Sequence, residues 1–209
     1  MMTSSLIGEF NRRFHEEDRR PMVTGESMSM VNVTLPDGTV NEYAEGITAG
    51  EVVIDALGKK HGCLAARING VERDFSASLH SDCSVEGILA SSDEGIHILR
   101  HSAAHLLAQA VMEIYPDAKP TIGPAIDRGF YYDFAMEPIA ASDLKAIEKK
   151  MHELARRNIQ VERVELEEEE LRDHFKSNKY KIEIIDDKLE DGDGSTIYKQ
   201  GEWYDLCLG

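Results

Sequence analysis

The stretch from Ile98 to Tyr115 constrains this chain most: its apolar residues recur at helical spacing, and Pro116 closes it. On a wheel of about 100° per residue with His101 at zero, Leu106, Ala110, Ala103, Ile114, Leu107 and Val111 fall between about 140° and 280°. Such a stripe needs another element to cover it. His105 falls at about 40°, so His101 and His105 share one face, one turn apart, on the side away from the stripe. A core histidine would sit on the stripe. The pair is therefore either a functional pair or two solvated surface side chains.

Around this helix the chain reads as two units. Met30 to Leu35 alternates like a strand, Pro36-Asp37-Gly38 turns, and Thr39 to Tyr43 returns as its partner. Thr48 and Glu51 form a capping box ahead of Val52, Val53, Ala56 and Leu57. Strands are expected over Cys63–Asn69, Val71–Phe75 and Val85–Leu89, with a turn at Asn69-Gly70. This order suits a small β-grasp-like domain over residues 28–90, preceded by a polar leader over 1–27.

The second unit, residues 91–209, opens on a Ser91/Glu94 capping box. A hairpin follows, turning at Asp127-Arg128-Gly129. Ser142 is expected to cap a helix with a Leu144, Ile147, Met151 and Leu154 stripe. Ile159–Val164 reads as a strand, Glu168–Phe175 as an acidic helix and Tyr180–Ile185 as a further strand. Asp191-Gly192-Asp193-Gly194 turns into Ile197-Tyr198 and then a strand over Trp203–Cys207. The fold class is α+β, a β-grasp-like domain followed by an α+β sandwich.

Composition narrows the function. No apolar run reaches membrane-spanning length, and the mixed charges of the leader fit neither a secretory signal nor a transit peptide, so a cytoplasmic protein is expected. Three cysteines, Cys63, Cys83 and Cys207, show no CxxC pair and suit a reducing compartment. A net charge of −16 disfavours wide contact with a phosphate backbone. Phosphate-cradling loops of the GxGxxG and GxxxxGK[ST] types are absent, as is a GxSxG elbow. Ser102 stands where a zincin has its glutamate. Two helical histidines with a remote Cys207 could still hold zinc, although structural zinc sites nearly always use four ligands.

Several motifs in order are more specific than any one. His101-Ser102-Ala103-Ala104-His105-Leu106-Leu107, Ile122-Gly123-Pro124, Gly129-Phe130-Tyr131-Tyr132-Asp133, Tyr180-Lys181 and Tyr204-Asp205-Leu206-Cys207 resemble the editing domain of the threonyl-tRNA synthetase family. The preceding unit, about Met28 to Leu89, resembles that family's TGS domain. The resemblance implies an esterase module that removes serine from threonine tRNA. Serine lacks one methyl of threonine, and one methyl supports only about 10–200-fold discrimination in a synthetic pocket.

By the same resemblance His101, His105, Lys181, Asp205 and Cys207 are catalytic residues, and Tyr132 and Tyr198 contact substrate. A histidine near neutral pKa can deprotonate water, Lys181 can stabilise an oxyanion or the terminal ribose and phosphate, and Asp205 can receive the substrate ammonium or orient water. No cofactor is expected for editing; the ATP and zinc of the parent ligase belong to a catalytic domain outside this sequence. Implied partners are the acceptor end of tRNA(Thr) and serine as product, with no membrane, and a homodimer formed through the other domains.

The family continues its cysteine as Arg-Gly-Pro-His; here Leu208 and Gly209 follow Cys207. The expectation is a truncated editing domain that deacylates weakly or not at all by itself. Two alternatives stay open: a zinc-dependent hydrolase of the alanyl-tRNA editing type, with His101, His105 and Cys207 as ligands, and a non-catalytic TGS binding or regulatory module with an inactive editing remnant.

Overall fold

The computed structural model describes residues 29–190 and 196–207; the leader over 1–27 and the turn at 191–194 lie outside them. The described residues divide into two compact units between Ile98 and Leu99.

In the first unit β1 (Met30–Thr34) and β2 (Val40–Ala44) pair antiparallel through a turn in which Gly38 takes φ 85°. Period-two alternation sends Val31 and Val33 into the core while Met30, Asn32 and Thr34 stay exposed. Helix α1 (Ala49–Leu57) covers that core with Val52 and Val53. The anticipated capping box is present in full: Thr48 Oγ1 accepts the Glu51 N–H at 3.3 Å, and Glu51 Oε2 accepts the Thr48 N–H at 2.9 Å. Strands β3 (Cys63–Ile68) and β4 (Val71–Arg73) meet at Asn69-Gly70, where both residues take the left-handed backbone of a tight hairpin turn, at φ 49° and 82°. With β5 (Cys83–Leu89) the sheet runs β2-β1-β5-β3-β4; β1 and β5 are parallel and the other pairs antiparallel.

Helix α2 (Asp93–Ile114) carries the two histidines. Its cap lies one residue beyond the expected Ser91: the Ser92 hydroxyl accepts the Gly95 N–H at 3.0 Å. Glu94 is thereby free to bind the Arg67 guanidinium at 2.7 and 2.6 Å instead of closing a capping box.

In the second unit β6 (Lys119–Pro120) pairs with β9 (Phe134–Ala135), and β7 (Ala125–Ile126) with β8 (Gly129–Phe130), forming the expected hairpin. Helix α3 (Leu144–Arg156) starts from Asp143, with no side-chain cap from Ser142. Ile147, Met151 and Leu154 pack with Leu106, Ala110 and Val111 of α2, whereas Leu144, expected in that stripe, is 57% exposed because it lies in the first turn. Strand β10 (Val161–Glu165) and helix α4 (Glu168–Phe175) follow the sequence reading; three glutamates fill the first turn of α4, where the helix dipole favours them.

One expectation is overturned. Residues 180–185, expected to form a strand, lie in helix α5 (Lys179–Glu190). Asn178 starts it, its carbonyl accepting the Lys181 and Ile182 N–H groups and its Oδ1 the Tyr180 N–H. The buried pair is Lys181 and Ile185, four apart, which is the helical spacing.

Strands β11 (Thr196–Gln200) and β12 (Trp203–Leu206) complete a three-stranded antiparallel sheet in the order β10-β11-β12. The fold is α+β, with a mixed five-stranded sheet and five helices among the described residues. None of those helices is long and apolar enough to cross a membrane.

Because Thr48 satisfies an otherwise orphaned helix donor, Thr48→Ala is expected to lower stability by about 1 kcal/mol. Urea unfolding with an unchanged midpoint contradicts that account.

Candidate functional site

The alternation of β12 builds the site. Leu206 pairs with Ile197 and both join Leu171, Phe175 and Ile185 in a core on one face of the small sheet. Successive side chains point to opposite faces, so Trp203, Asp205 and Cys207 share the other face with Tyr198, the register partner of Asp205. That face meets α2. The Tyr198 ring stacks 6.2 Å from the His105 ring, Trp203 meets the same ring edge-on at 6.2 Å, and the Trp203 N–H donates to Met112 Sδ at 3.2 Å. Helix α2 is therefore covered on both sides. His105 is 7% exposed and His101 half-buried, so the alternative of two solvated histidines is excluded.

At the centre stands the Asp205 carboxylate, 1% exposed. Its Oδ1 lies 2.7 Å from Lys181 Nζ and accepts the Leu206 N–H at 2.8 Å. Its Oδ2 accepts the Tyr132 hydroxyl and stands 3.1 Å from His105 Nδ1, off the line of a good hydrogen bond. Lys181 Nζ also donates to the Tyr132 oxygen at 3.0 Å. Three donors, from Lys181, Leu206 and Tyr132, thus surround the carboxylate, and the His105 ring adds a charge contact. Across the cluster His105 Nε2 is 3.1 Å from His101 Nε2, which is 3.1 Å from Cys207 Sγ. Thr196 holds the Cys207 backbone from both sides, its hydroxyl donating to the Cys207 carbonyl and its own carbonyl accepting the Cys207 N–H at 3.1 Å.

The electrostatics follow from this packing. Burial penalises the Asp205 carboxylate, yet His105 and Lys181 outweigh the penalty and hold its pKa down at about 2. Burial likewise opposes charging His105, but Asp205 and Cys207 push it up to about 9. The Cys207 thiol is resisted by burial and drawn down to about 6 by His101 and His105. Burial and the neighbouring negative charges raise Tyr132, which stays a phenol and a donor. At neutral pH the cluster therefore pairs a carboxylate and a thiolate with an imidazolium and an ammonium. Asp205, whose folded pKa is depressed, contributes stability that is complete above 3.8 and lost as pH falls through about 2.

All five residues expected to be catalytic, together with Tyr132, meet in this one cluster, and Tyr198 forms its wall. The side chains that keep partial solvent access are His101, Tyr132 and Tyr198. Trp203, Thr196 and Asn178 were not singled out as site residues. The signal for Asn178 was its place two residues before Tyr180 at a helix start, hidden by the strand reading. Gly123 enters the sequence reading only within a motif; a Cβ there would come within 2.1 Å of the Tyr132 ring, so no side chain fits at this position. Phe134 stacks with the Tyr132 ring, centroid to centroid 5.0 Å.

His101, His105 and Cys207 offer ligand atoms within 4.8 Å of one another. Tetrahedral zinc with its usual bond lengths of about 2.0–2.3 Å holds ligand atoms roughly 3.3–3.7 Å apart, so small rotations of these three would fit the ion.

No family profile matches the chain. The chain is similar to a threonine–tRNA ligase of Hyphomonas neptunium, with 46% identity over 186 residues, covering 86% of this chain and 28% of the ligase. It is similar to threonine–tRNA ligase 1 of Bacillus subtilis, with 42% identity over 184 residues, and to a threonine–tRNA ligase of Streptococcus pneumoniae, with 40% over 185, at the same coverages. The chain spans 28% of the length of these curated relatives.

Two measurements probe the cluster. Thiolate absorbance in the ultraviolet is expected to rise with a midpoint near 6 for Cys207, and His101→Ala should move that midpoint up towards 9.0; an unmoved midpoint contradicts the imidazole–thiolate contact. Asp205→Asn leaves Lys181 and His105 buried without their counter-charge and is expected to cost about 3–5 kcal/mol in denaturant unfolding. A loss below about 1 kcal/mol, the range of exposed pairs, would refute the buried network.

Proposed function

We propose that this chain, a homologue of the threonine–tRNA ligases, corresponds to their N-terminal part and hydrolyses the ester of seryl-tRNA(Thr) at the cluster around Asp205. The observation that carries the reading is the meeting of His101, His105, Lys181, Asp205, Cys207 and Tyr132 in one ionised, water-poor cluster with His101 at its accessible side. In this reading residues 28–90 are the TGS unit and 91–209 the editing unit. The acceptor end of tRNA(Thr) is the partner and serine the released product.

The chemistry suits these residues. His101, whose Nε2 faces His105 and the Cys207 thiolate, takes a proton at its other ring nitrogen, Nδ1, from a water molecule as that water attacks the ester carbonyl carbon. The tetrahedral oxyanion is met by the positive charges of His105 and of Lys181, whose ammonium is held by Asp205 and the Tyr132 oxygen. Its collapse breaks the ester carbon–oxygen bond, and the departing ribose oxygen takes up the proton held on His101. Asp205, already engaged by three donors and the charged His105 ring, anchors these charges instead of receiving the substrate ammonium. The acidity of the chain, −16, supports contact limited to the aminoacylated tip.

Single-turnover deacylation with the chain in excess tests this. Seryl-tRNA(Thr) is expected to be cleaved faster than in buffer, and His101→Ala to lose about 10²–10⁴-fold of that acceleration. No acceleration, or an equal rate in the variant, overturns the proposal.

A second reading is supported by the spacing of the three ligand atoms: His101, His105 and Cys207 would hold a zinc ion, which would supply a water of lowered pKa. Metal analysis of protein purified without added zinc separates the two. A stoichiometric ion favours the zinc site, and a chelator-insensitive rate favours the metal-free one.

A further inference from the structure

We propose that Asn178 is a positioning residue: by tying the start of α5 to β6 it sets where the Lys181 ammonium stands against Tyr132 and Asp205. The proposal rests on the ester-hydrolysis reading for its kinetic test alone.

Asn178 is 7% exposed, and each of its polar groups has a defined partner. Nδ2 donates to the Pro120 carbonyl at 2.7 Å, a buried bond between residues 58 apart in the chain. Oδ1 accepts the Tyr180 N–H at 3.2 Å, and the backbone carbonyl accepts the Lys181 N–H at 3.0 Å and the Ile182 N–H at 3.2 Å. The backbone of Lys181 therefore hangs directly on Asn178.

The other end of the tie leads to Tyr132. Pro120 pairs with Phe134, Thr121 N–H donates to the Asp133 carbonyl at 2.9 Å, and Asp133 N–H donates to the Ile122 carbonyl at 2.9 Å. Tyr132 continues this ribbon, and its ring packs closely against Gly123 and stacks with Phe134. One amide side chain thus joins the strand ribbon that places a phenol to the helix turn that places an ammonium. Their 3.0 Å contact is the consequence. A lysine needs such an anchor. Its four-carbon stem is flexible and its ammonium has no preferred plane, so the position of its Cα decides where the charge goes. A misplacement of about 1 Å can cost on the order of 10²-fold in rate.

Asn178→Ser separates the two jobs of the residue. Serine is as good a helix cap as asparagine but too short to reach the Pro120 carbonyl. In the full chain, the side-chain ammonium of Lys181 is expected to give a slowly exchanging ¹⁵N–¹H resonance, assigned by its Overhauser contact with the Tyr132 ring. That resonance should vanish in Asn178→Ser while the folded backbone amide pattern persists. Deacylation of seryl-tRNA(Thr) should fall about ten- to a hundredfold in kcat with KM little changed. Asn178→Ser/Lys181→Met should then be no slower than Lys181→Met.

An unaltered ammonium resonance, losses that multiply in the double variant, or global unfolding of Asn178→Ser overturns the positioning role. If the native chain does not deacylate the ester at all, the proposed activity fails. The resonance then decides alone: its loss in a folded Asn178→Ser supports the tie, and its retention refutes it.

Discussion

The structure of the second unit depends on one buried carboxylate. An isolated charge such as Asp205 costs several kcal/mol to remove from water, and that cost is offset only when hydrogen bonds and opposite charges surround it. Here a lysine from α5, a tyrosine preceding β9, a histidine from α2 and the next backbone N–H supply them. Four segments of the chain must therefore arrive together, or the carboxylate cannot be buried at all. The same constraint makes the neighbours' charges interdependent: His105 is held charged by Asp205, and Cys207 is held ionised by the histidines.

Local rules deliver those segments. Period two along β11 and β12 separates Ile197 and Leu206, which build a core, from Tyr198, Asp205 and Cys207, which build the site. Helix α2 performs a similar division at period 3.6. Leu106, Ala110 and Val111 face α3, while His101, His105 and Met112 face the β12 side. A helix covered on both sides carries its polar residues in a dry setting, where electrostatic interactions are strong.

Much of this was legible in the sequence. The Thr48/Glu51 box, the Asn69-Gly70 turn and the side of α2 on which the histidines lie are local facts, written in residues a few positions apart. The errors were also local, and each has a stronger competitor behind it. Ser92 displaced Ser91 as a cap because its hydroxyl reaches Gly95 N–H, leaving Glu94 to pair with Arg67 across 27 residues. The alternation at Tyr180, Ile182 and Ile184 imitated a strand, but the Asn178 cap and the burial of Lys181 with Ile185 made a helix. Burial of a lysine contradicts the usual solvent preference of that residue and becomes intelligible only once Asp205 is beside it.

The sequence by itself determined the faces on which the α2 histidines and the β12 residues lie, because periodicity and capping act over a few residues. The order of its motifs also carries the resemblance to the threonyl-tRNA synthetase family, and the chain is 40–46% identical to threonine–tRNA ligases over 86% of its own length. Only the tertiary structure decided that His101 meets Cys207 across 106 positions, that Lys181 lies inside rather than in solvent, and which groups carry charge. A pKa depends on burial and on partners within a few ångströms, and both are set by chain segments far apart in sequence.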